Sequence, residues 1–296
     1  MLAQQLFNGA VLGLVYALFA LGFNLVFGVH KIMNLAHGAI FMIGAFIGLY
    51  GVLAGVPLWA SLLLAAVAAG LLAVLIDVVA FRPLRRMREA EFTVLIASIG
   101  IDMILVDLAL QVFGARTMRF PFGIVPVEAI TFAGLRVSPL QLIIAIAAVL
   151  AFLLLAFYLY RTSFGRQVRA VSSNVRAAVL LGVEPRAVYF QTFFISGVLA
   201  GIAGVLIGLA FNSVSFHMAE PYLLRGFVVL ILGGLGSLAG AVVAGLLLGV
   251  IQTLAIAYAP AGLSEIIVYS LLFLALLVRP NGLFGGAVAD ARLARR

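Results

Sequence analysis

The sequence predicts an all-α, polytopic membrane helical bundle, and three observations carry that prediction. Hydrophobic residues fill 66% of 296 positions and charged residues only 9%, with a mean hydropathy of +1.29. A soluble domain carries roughly a quarter charged residues, so this chain could not cover a water-facing surface, and the lipid bilayer is its first partner. Several apolar runs approach or exceed the roughly twenty residues that a helix needs to cross the hydrocarbon core. These runs are continuously apolar rather than alternating, which excludes a transmembrane β-barrel.

About eight hydrophobic segments follow one another, at 6–28, 33–54, 58–80, 93–113, 139–160, 189–210, 223–257 and 263–278, and make residues 1–296 one transmembrane domain. The first lacks a basic leader and an A-x-A cleavage site, so it reads as a retained span rather than a signal peptide. Arginines mark one set of loops: Arg82, Arg85, Arg86 and Arg88; Arg161, Arg166, Arg169, Arg176 and Arg186; Arg279, Arg292, Arg295 and Arg296. Placing all three clusters in the cytoplasm puts the N-terminus outside and the C-terminus inside. The only lysine, Lys31, then falls inside as well. This parity requires an odd number of crossings after residue 211. The seventh segment is too long for one span and is interrupted by Gly233, Gly234, Gly236 and Gly240. It forms either two short or broken helices, the favoured reading, or one span plus a re-entrant half-helix. Broken backbone at membrane depth survives only when buried in protein or lining a cavity.

Many of the 31 glycines recur four residues apart, as in Gly9/Gly13, Gly44/Gly48, Gly51/Gly55, Gly197/Gly201, Gly204/Gly208, Gly236/Gly240 and Gly245/Gly249. Small faces of this kind let helices approach closely where apolar burial no longer drives association. Packing within the bundle accounts for most of them, with a path lining or a subunit contact as the alternative for the rest. The net charge of +8 sits at the ends of apolar runs, a topology signal rather than a nucleic-acid footprint. There is no cysteine, and His30, His37 and His217 lack the spacing of a ligand set, so no metal site is predicted.

Polar side chains inside spans are costly unless they bond to something or face water. Asn24, Asn34 and His37 therefore either line a polar translocation path or hold helices together by hydrogen bonds. Asp77 can pair with Arg82 and reads as structural. Asp102, near mid-membrane, is the sharpest functional candidate. A proton- or sodium-coupled carrier would use such a carboxylate; a single satisfied contact within the bundle is the alternative. Asp107, five residues on, points to a different helix face.

The loop 161–188, RTSFGRQVRAVSSNVRAAVLLGVEPRAV, is the longest basic interruption of the chain. Ser172, Ser173 and Asn174 are candidate N-caps of a short helix, Gly182 its stop, and Pro185 lies just beyond. A helix from Asn174 to Leu181 has Val175, Ala178, Val179 and Leu180 available for a partner's groove, with Arg169 and Arg176 beside them. Lying on the lipid surface is the alternative, but its apolar face is short and alanine-rich, which makes membrane binding weak. No G-x-x-x-x-G-K-[ST] motif surrounds Lys31, so the chain holds no P-loop, needs no cofactor, and is not itself an enzyme. ATP-driven transport would require a separate ATPase docked on the cytoplasmic face, and this loop is the candidate docking element.

Arg176-Ala177-Ala178 followed by Gly182 has the E-A-A-x-x-x-G spacing of ABC importer permeases, with Arg176 in the place of the glutamate. Three stretches extend the likeness: GLVYALFALGFNLVFGVHKIMNLAHGAIFMIGAF from Gly13, FVVLILGGLGSLAGAVVAGLLLG from Phe227, and LLVRPNGLFG from Leu276. The chain resembles permeases of the branched-chain amino-acid ABC importer family, and looks like the shorter member of the permease pair, without the N-terminal extension of the longer one. The resemblance implies a heterodimer with a second homologous permease, two cytoplasmic ATP-binding subunits and a periplasmic solute-binding protein, in a bacterial inner membrane. It implies that Arg169, Asn174, Arg176, Ala177, Ala178 and Gly182 belong to a coupling helix, moved when the ATPase pair closes. The implied cargo is branched-chain amino acids, with urea or short amides as the alternative, selected mainly by the binding protein. Two other classes compete: a secondary transporter working through Asp102, and a passive channel constricted by the glycine-rich broken segment.

Overall fold

A backbone in hydrocarbon must satisfy its own N–H and C=O groups, and this chain does so by winding into helices. The computed structural model describes residues 1–85, 87, 89–125, 128, 130–132, 135–260, 262–278 and 282–284. Helix α1 is Leu2–His30, α2 His37–Leu53 and α3 Leu58–Ile76; a π-helical turn, Asp77–Phe81, joins α3 to the single turn α4, Arg82–Leu84. Then come α5, Ala90–Phe113, and a short antiparallel hairpin of β1, Ile130–Phe132, and β2, Leu135–Val137, with Ile130 opposite Val137. Helix α6 is Pro139–Arg161, and α7, Ser163–Ser173, and α8, Val175–Leu180, make up the basic loop. Helix α9 is Pro185–Phe211, α10 Ala219–Gly233 after a 3-10 turn at Phe216–Met218, α11 Leu238–Tyr258, and α12 Leu263–Val278.

Seven stretches of helix, Leu2–His30, Leu58–Leu84, Ala90–Phe113, Pro139–Arg161, Pro185–Phe211, Phe216–Gly233 and Leu238–Tyr258, are long and apolar enough to cross a membrane. Helices α2 and α12 are shorter. The seventh hydrophobic segment is two helices, α10 and α11, as the glycines predicted; Gly234 and Gly236, both at positive φ, make the turn between them. The second segment is shorter than its hydropathy suggests. Residues 31–36 are not helical although Ile32 and Ala36 are buried, and α2 starts only at His37.

Contacts fix the direction of each pass. Gly22 lies by Ser196 and His30 by Thr192, so α9 runs against α1. Gly44 meets Gly201 and Gly48 meets Val205, so α2 runs with α9. Gly9 and Gly13 lie against α11 at Val250 and Gly245, an antiparallel seam. Tyr16 meets Tyr222 and Phe23 meets Phe227, so α10 runs with α1. Direction therefore alternates through α1, α2, α3, α5, α6, α9, α10, α11 and α12. Lys31, Arg82, Arg85, Arg161, Arg166, Arg169, Arg176 and Arg186 all gather at the end of the bundle where α1 finishes. Arg86, Arg88, Arg279, Arg292, Arg295 and Arg296 lie outside the described residues.

The alternation conceals a repeat of inverted direction. Helices α1 and α9 are both long, and each ends on a non-glycine residue in the left-handed region, Lys31 at φ 58° and Asn212 at φ 46°. Each is followed by a non-helical or irregular segment (31–36 and 212–218), a short helix (α2 of 17 residues, α10 of 15) and a longer one. The packing exchanges between the halves: α1 lies along α11, and α9 lies along α3. These two helices form the centre, with 78% and 72% of their apolar windows buried, against 22% for α5 and 28% for α6. The glycine pairs make this centre possible. A Cβ on Gly13 would come within 2.7 Å of the Gly245 carbonyl, and one on Gly44 within 2.5 Å of Gly201 Cα. Backbones in contact at these points leave room for hydrogen only.

Candidate functional site

The predicted residues fall into two places. The first is the loop at the basic end. Thr162 caps α7 by accepting from Gly165 N, and a Cβ at Gly165 would collide with the Tyr158 and Leu159 carbonyls, so the α6–α7 corner requires glycine. Arg169 is turned inward: its Nη1 donates to the Leu159 carbonyl and its guanidinium lies 5.7 Å from the Tyr160 ring. It ties α7 to the end of α6. Asn174 caps α8, accepting from Ala177 N at 3.1 Å. Gly182, at φ 80°, closes it: Gly182 N donates to Val179 O and Val183 N to Ala178 O, the paired bonds of a Schellman stop.

Helix α8 therefore has an inner and an outer face. Ala178 packs inward and is buried, contrary to its predicted place in a docking face. Arg176 and Ala177 are exposed, and Val179, Leu180 and Leu181 stand out at 50%, 87% and 81% exposure. Leu181, at the helix stop, belongs to the outer face that the sequence reading assigned to Val175, Val179 and Leu180.

The second place is the level at which α2 and α10 begin. The two short helices start next to each other and run apart: a Cβ on Gly38 would lie 3.1 Å from both the Ala219 carbonyl and Leu223 Cβ. Asp102 of α5 accepts from Ala39 N at 3.1 Å, and Ser98, one turn earlier, accepts from Leu35 N. A carboxylate at a helix N-terminus satisfies an orphan donor and complements the macrodipole. Glu220, in the first turn of α10, is exposed and close enough to act on Asp102 electrostatically. The sequence reading missed Ser98 and Glu220; a serine and an aspartate one turn apart on α5 were the available signal for the first.

The other polar residues separate by what they bond. Asn24 is buried and doubly engaged, accepting from Gly236 N at 2.7 Å and donating to Ser237 O at 2.8 Å. His37 is buried between the Phe19 and Phe23 rings; its Nε2 donates to the Phe19 carbonyl, leaving Nδ1 to accept from Ser196. Both hold helices together. Asn34 is buried, and its Oδ1 is the one buried side-chain polar atom without a hydrogen-bond partner among the described residues. Asp107 bonds Gln111 on another face. Asp77 pairs with Arg85, not Arg82, because the π-helical turn and the end of α4 bring Arg85 back over it. Among the described residues no cluster of three His, Asp or Glu side chains gathers as a metal site would need.

A family model described as the permease component of branched-chain amino acid transport systems matches residues 5–276. The chain belongs to the branched-chain amino acid transport permease family. This permease is 31% identical over 294 residues to a high-affinity branched-chain amino acid transport system permease protein, LivH, of Salmonella typhimurium, covering 95% of each chain. It is 30% identical over 298 residues to the protein BraD of Pseudomonas aeruginosa, again over 95% of each. Among solved structures, PsaBC from Streptococcus pneumoniae in complex with Fab shares the permease's fold at a TM-score of 0.51 and 14% identity, over 95% of this chain and 93% of that one.

Proposed function

We propose that this permease is the membrane-spanning subunit of an ATP-driven importer of branched-chain amino acids, and that α8 is the element on which a separate ATPase subunit seats. The observation that carries the docking is the outer face of α8. Leu180 and Leu181 project almost fully exposed from a helix closed by its own cap and stop, beside the exposed Arg176. Two leucines on so short a helix lack the apolar area to anchor in lipid, but they suit a shallow groove in a protein. The chain carries no P-loop, so ATP is hydrolysed by a partner. The basic end of the bundle then faces the cytoplasm, and the hairpin and residues 212–218 face a solute-binding protein on the other side. A second, homologous permease covers the poorly buried α5.

The cargo passes beside the junction of α2 and α10, where Asp102 of α5 reaches the start of α2, Glu220 opens α10, and Asn34 lies in the segment leading into α2. An exposed carboxylate such as Glu220 at membrane depth belongs against water or another subunit, not lipid. Replacing both leucines, Leu180→Asp with Leu181→Asp, tests the docking. Burying a leucine contributes about 1.5–3 kcal/mol, so the double variant loses ATPase affinity roughly a hundredfold or more, while the permease still purifies as a folded membrane protein. Unchanged co-purification of the ATPase subunits with this variant would rule α8 out.

A further inference from the structure

A second buried polar cluster lies between the coupling loop and the α2–α10 junction, and neither the fold nor the docking accounts for it. It joins the end of α1, the turn after α3 and the second turn of α9. Arg85 Nη2 pairs with Asp77, and Arg85 Nη1 donates to His30 Nδ1 at 2.8 Å. A guanidinium has no acceptor, so His30 takes this bond on its lone pair and carries its proton on Nε2. Nε2 in turn donates to Thr192 Oγ1 at 2.7 Å, and the Thr192 hydroxyl donates to the Val188 or Tyr189 carbonyl, each at 3.0 Å. The chain of bonds has one direction, from Arg85 through His30 and Thr192 to the first turn of α9. Aromatic packing encloses it: the His30 ring lies 4.4 Å from Tyr189 and 4.7 Å from Phe193, and the Arg85 guanidinium lies 4.9 Å from the Tyr189 ring. Thr192 is fully buried and Asp77 nearly so.

Its position gives it a use. Only residues 181–184 separate α8 from Pro185, the first residue of α9, so a displacement of α8 reaches Val188 and Thr192 directly. At the other end, His30 is the last residue of α1, and the next six residues are the non-helical stretch leading to Asn34 and the start of α2. We infer that the Arg85–His30–Thr192 relay is the linkage that transmits motion of the coupling loop to segment 31–36 and the α2–α10 junction. The cluster suits this use, because its bonds are directional and run in series, so loosening one link weakens the next. His30, Arg85 and Thr192 are positioning residues; they act on the path through the backbone they hold.

This inference rests on the docking of ATPases at α8, and the test separates the two. The complete complex (permease pair, ATPases and binding protein) is reconstituted in proteoliposomes, and uptake per ATP hydrolysed is measured. Thr192→Val removes the hydroxyl without changing shape, His30→Phe keeps the ring without its nitrogens, and Thr192→Ser restores the hydroxyl. Both disabling variants retain their ATPases and basal hydrolysis, while uptake per ATP falls about tenfold, within the range known for broken coupling networks. The serine variant recovers to within about twofold, and the Val–Phe double variant is no worse than either single one, since one broken link opens the chain. Uptake per ATP preserved in Thr192→Val and His30→Phe overturns the inference, as does equal loss in Thr192→Ser. Disabling variants that no longer fold or assemble overturn it too, because the cluster is then a structural staple. Failure of the unaltered permease to bind ATPases instead overturns the docking beneath it.

Discussion

Replacing Asn24 by leucine separates a helix tie from a polar path lining. Asn24 is about 1% exposed, and leucine keeps its number of side-chain heavy atoms and its branch at Cγ while its methyl groups add some bulk, so the substitution opens no cavity. What it removes is the pair of bonds to Gly236 N and Ser237 O, which pin the turn between α10 and α11 to α1. Each of the two bonds contributes about 1 kcal/mol net, and leaving the Gly236 N–H unpaired adds about 1–3 kcal/mol, for a total of about 3–5 kcal/mol. Polar contacts between membrane helices often yield less, which sets a floor near 1 kcal/mol. The assay is reversible unfolding of the purified permease in mixed micelles, followed by helix signal against denaturing detergent. Asn24→Leu shifts the midpoint downward by the equivalent of that loss, and residual folded protein transports at a normal rate per molecule. An unfolding curve superimposable on the unaltered one, together with lost transport, would refute this reasoning and return Asn24 to the path.

Three further outcomes follow from the same geometry. Asp102→Asn keeps an oxygen for Ala39 N, so ATP-driven uptake stays within about threefold of normal, the size of a weakened charge-assisted bond; complete loss with the protein folded would point to a titrating carboxylate. Gly44→Val forces α2 and α9 apart where a Cβ alone would approach Gly201 Cα to 2.5 Å, and overpacking of this kind costs about 1–3 kcal/mol, read as a lowered melting temperature in detergent. Gly182→Ala strains a φ of 80° by roughly 1 kcal/mol with nothing nearby to relieve it, which frays α8 and weakens ATPase binding several-fold in a pull-down titration.

Hydropathy recovered the bundle because transfer into lipid is set by composition over a run, and the positions of α3, α5, α6, α9 and α11 follow from it. It overran at residues 33–36, where Met33 and Leu35 are as apolar as any helical neighbour. Hydropathy reports depth, not backbone conformation. The caps that break the two halves in parallel, Lys31 and Asn212, are not glycines, so the inverted repeat left no conformational mark in the sequence. Asn174 and Gly182 were legible because capping chemistry is local. The inward turn of Ala178 and the internal use of Arg169 were not, since both depend on how α7 folds back onto α6. Asp77 was matched to Arg82 by nearness along the chain, and the turn that closes α4 brings Arg85 to it instead. His30, discounted as a metal ligand, gained its partners from Arg85 and Thr192, residues brought near only by the crossing of α1, α3 and α9.

The central claim is that a separate ATPase, seated on α8, drives this permease. Uptake of labelled leucine into proteoliposomes tests it most directly, with the permease pair, the ATPases and the binding protein added or withheld. The account predicts uptake that requires ATP and the ATPase subunits and is abolished by Leu180→Asp with Leu181→Asp. Uptake without ATPases, driven by a proton or sodium gradient and lost in Asp102→Asn, would contradict it.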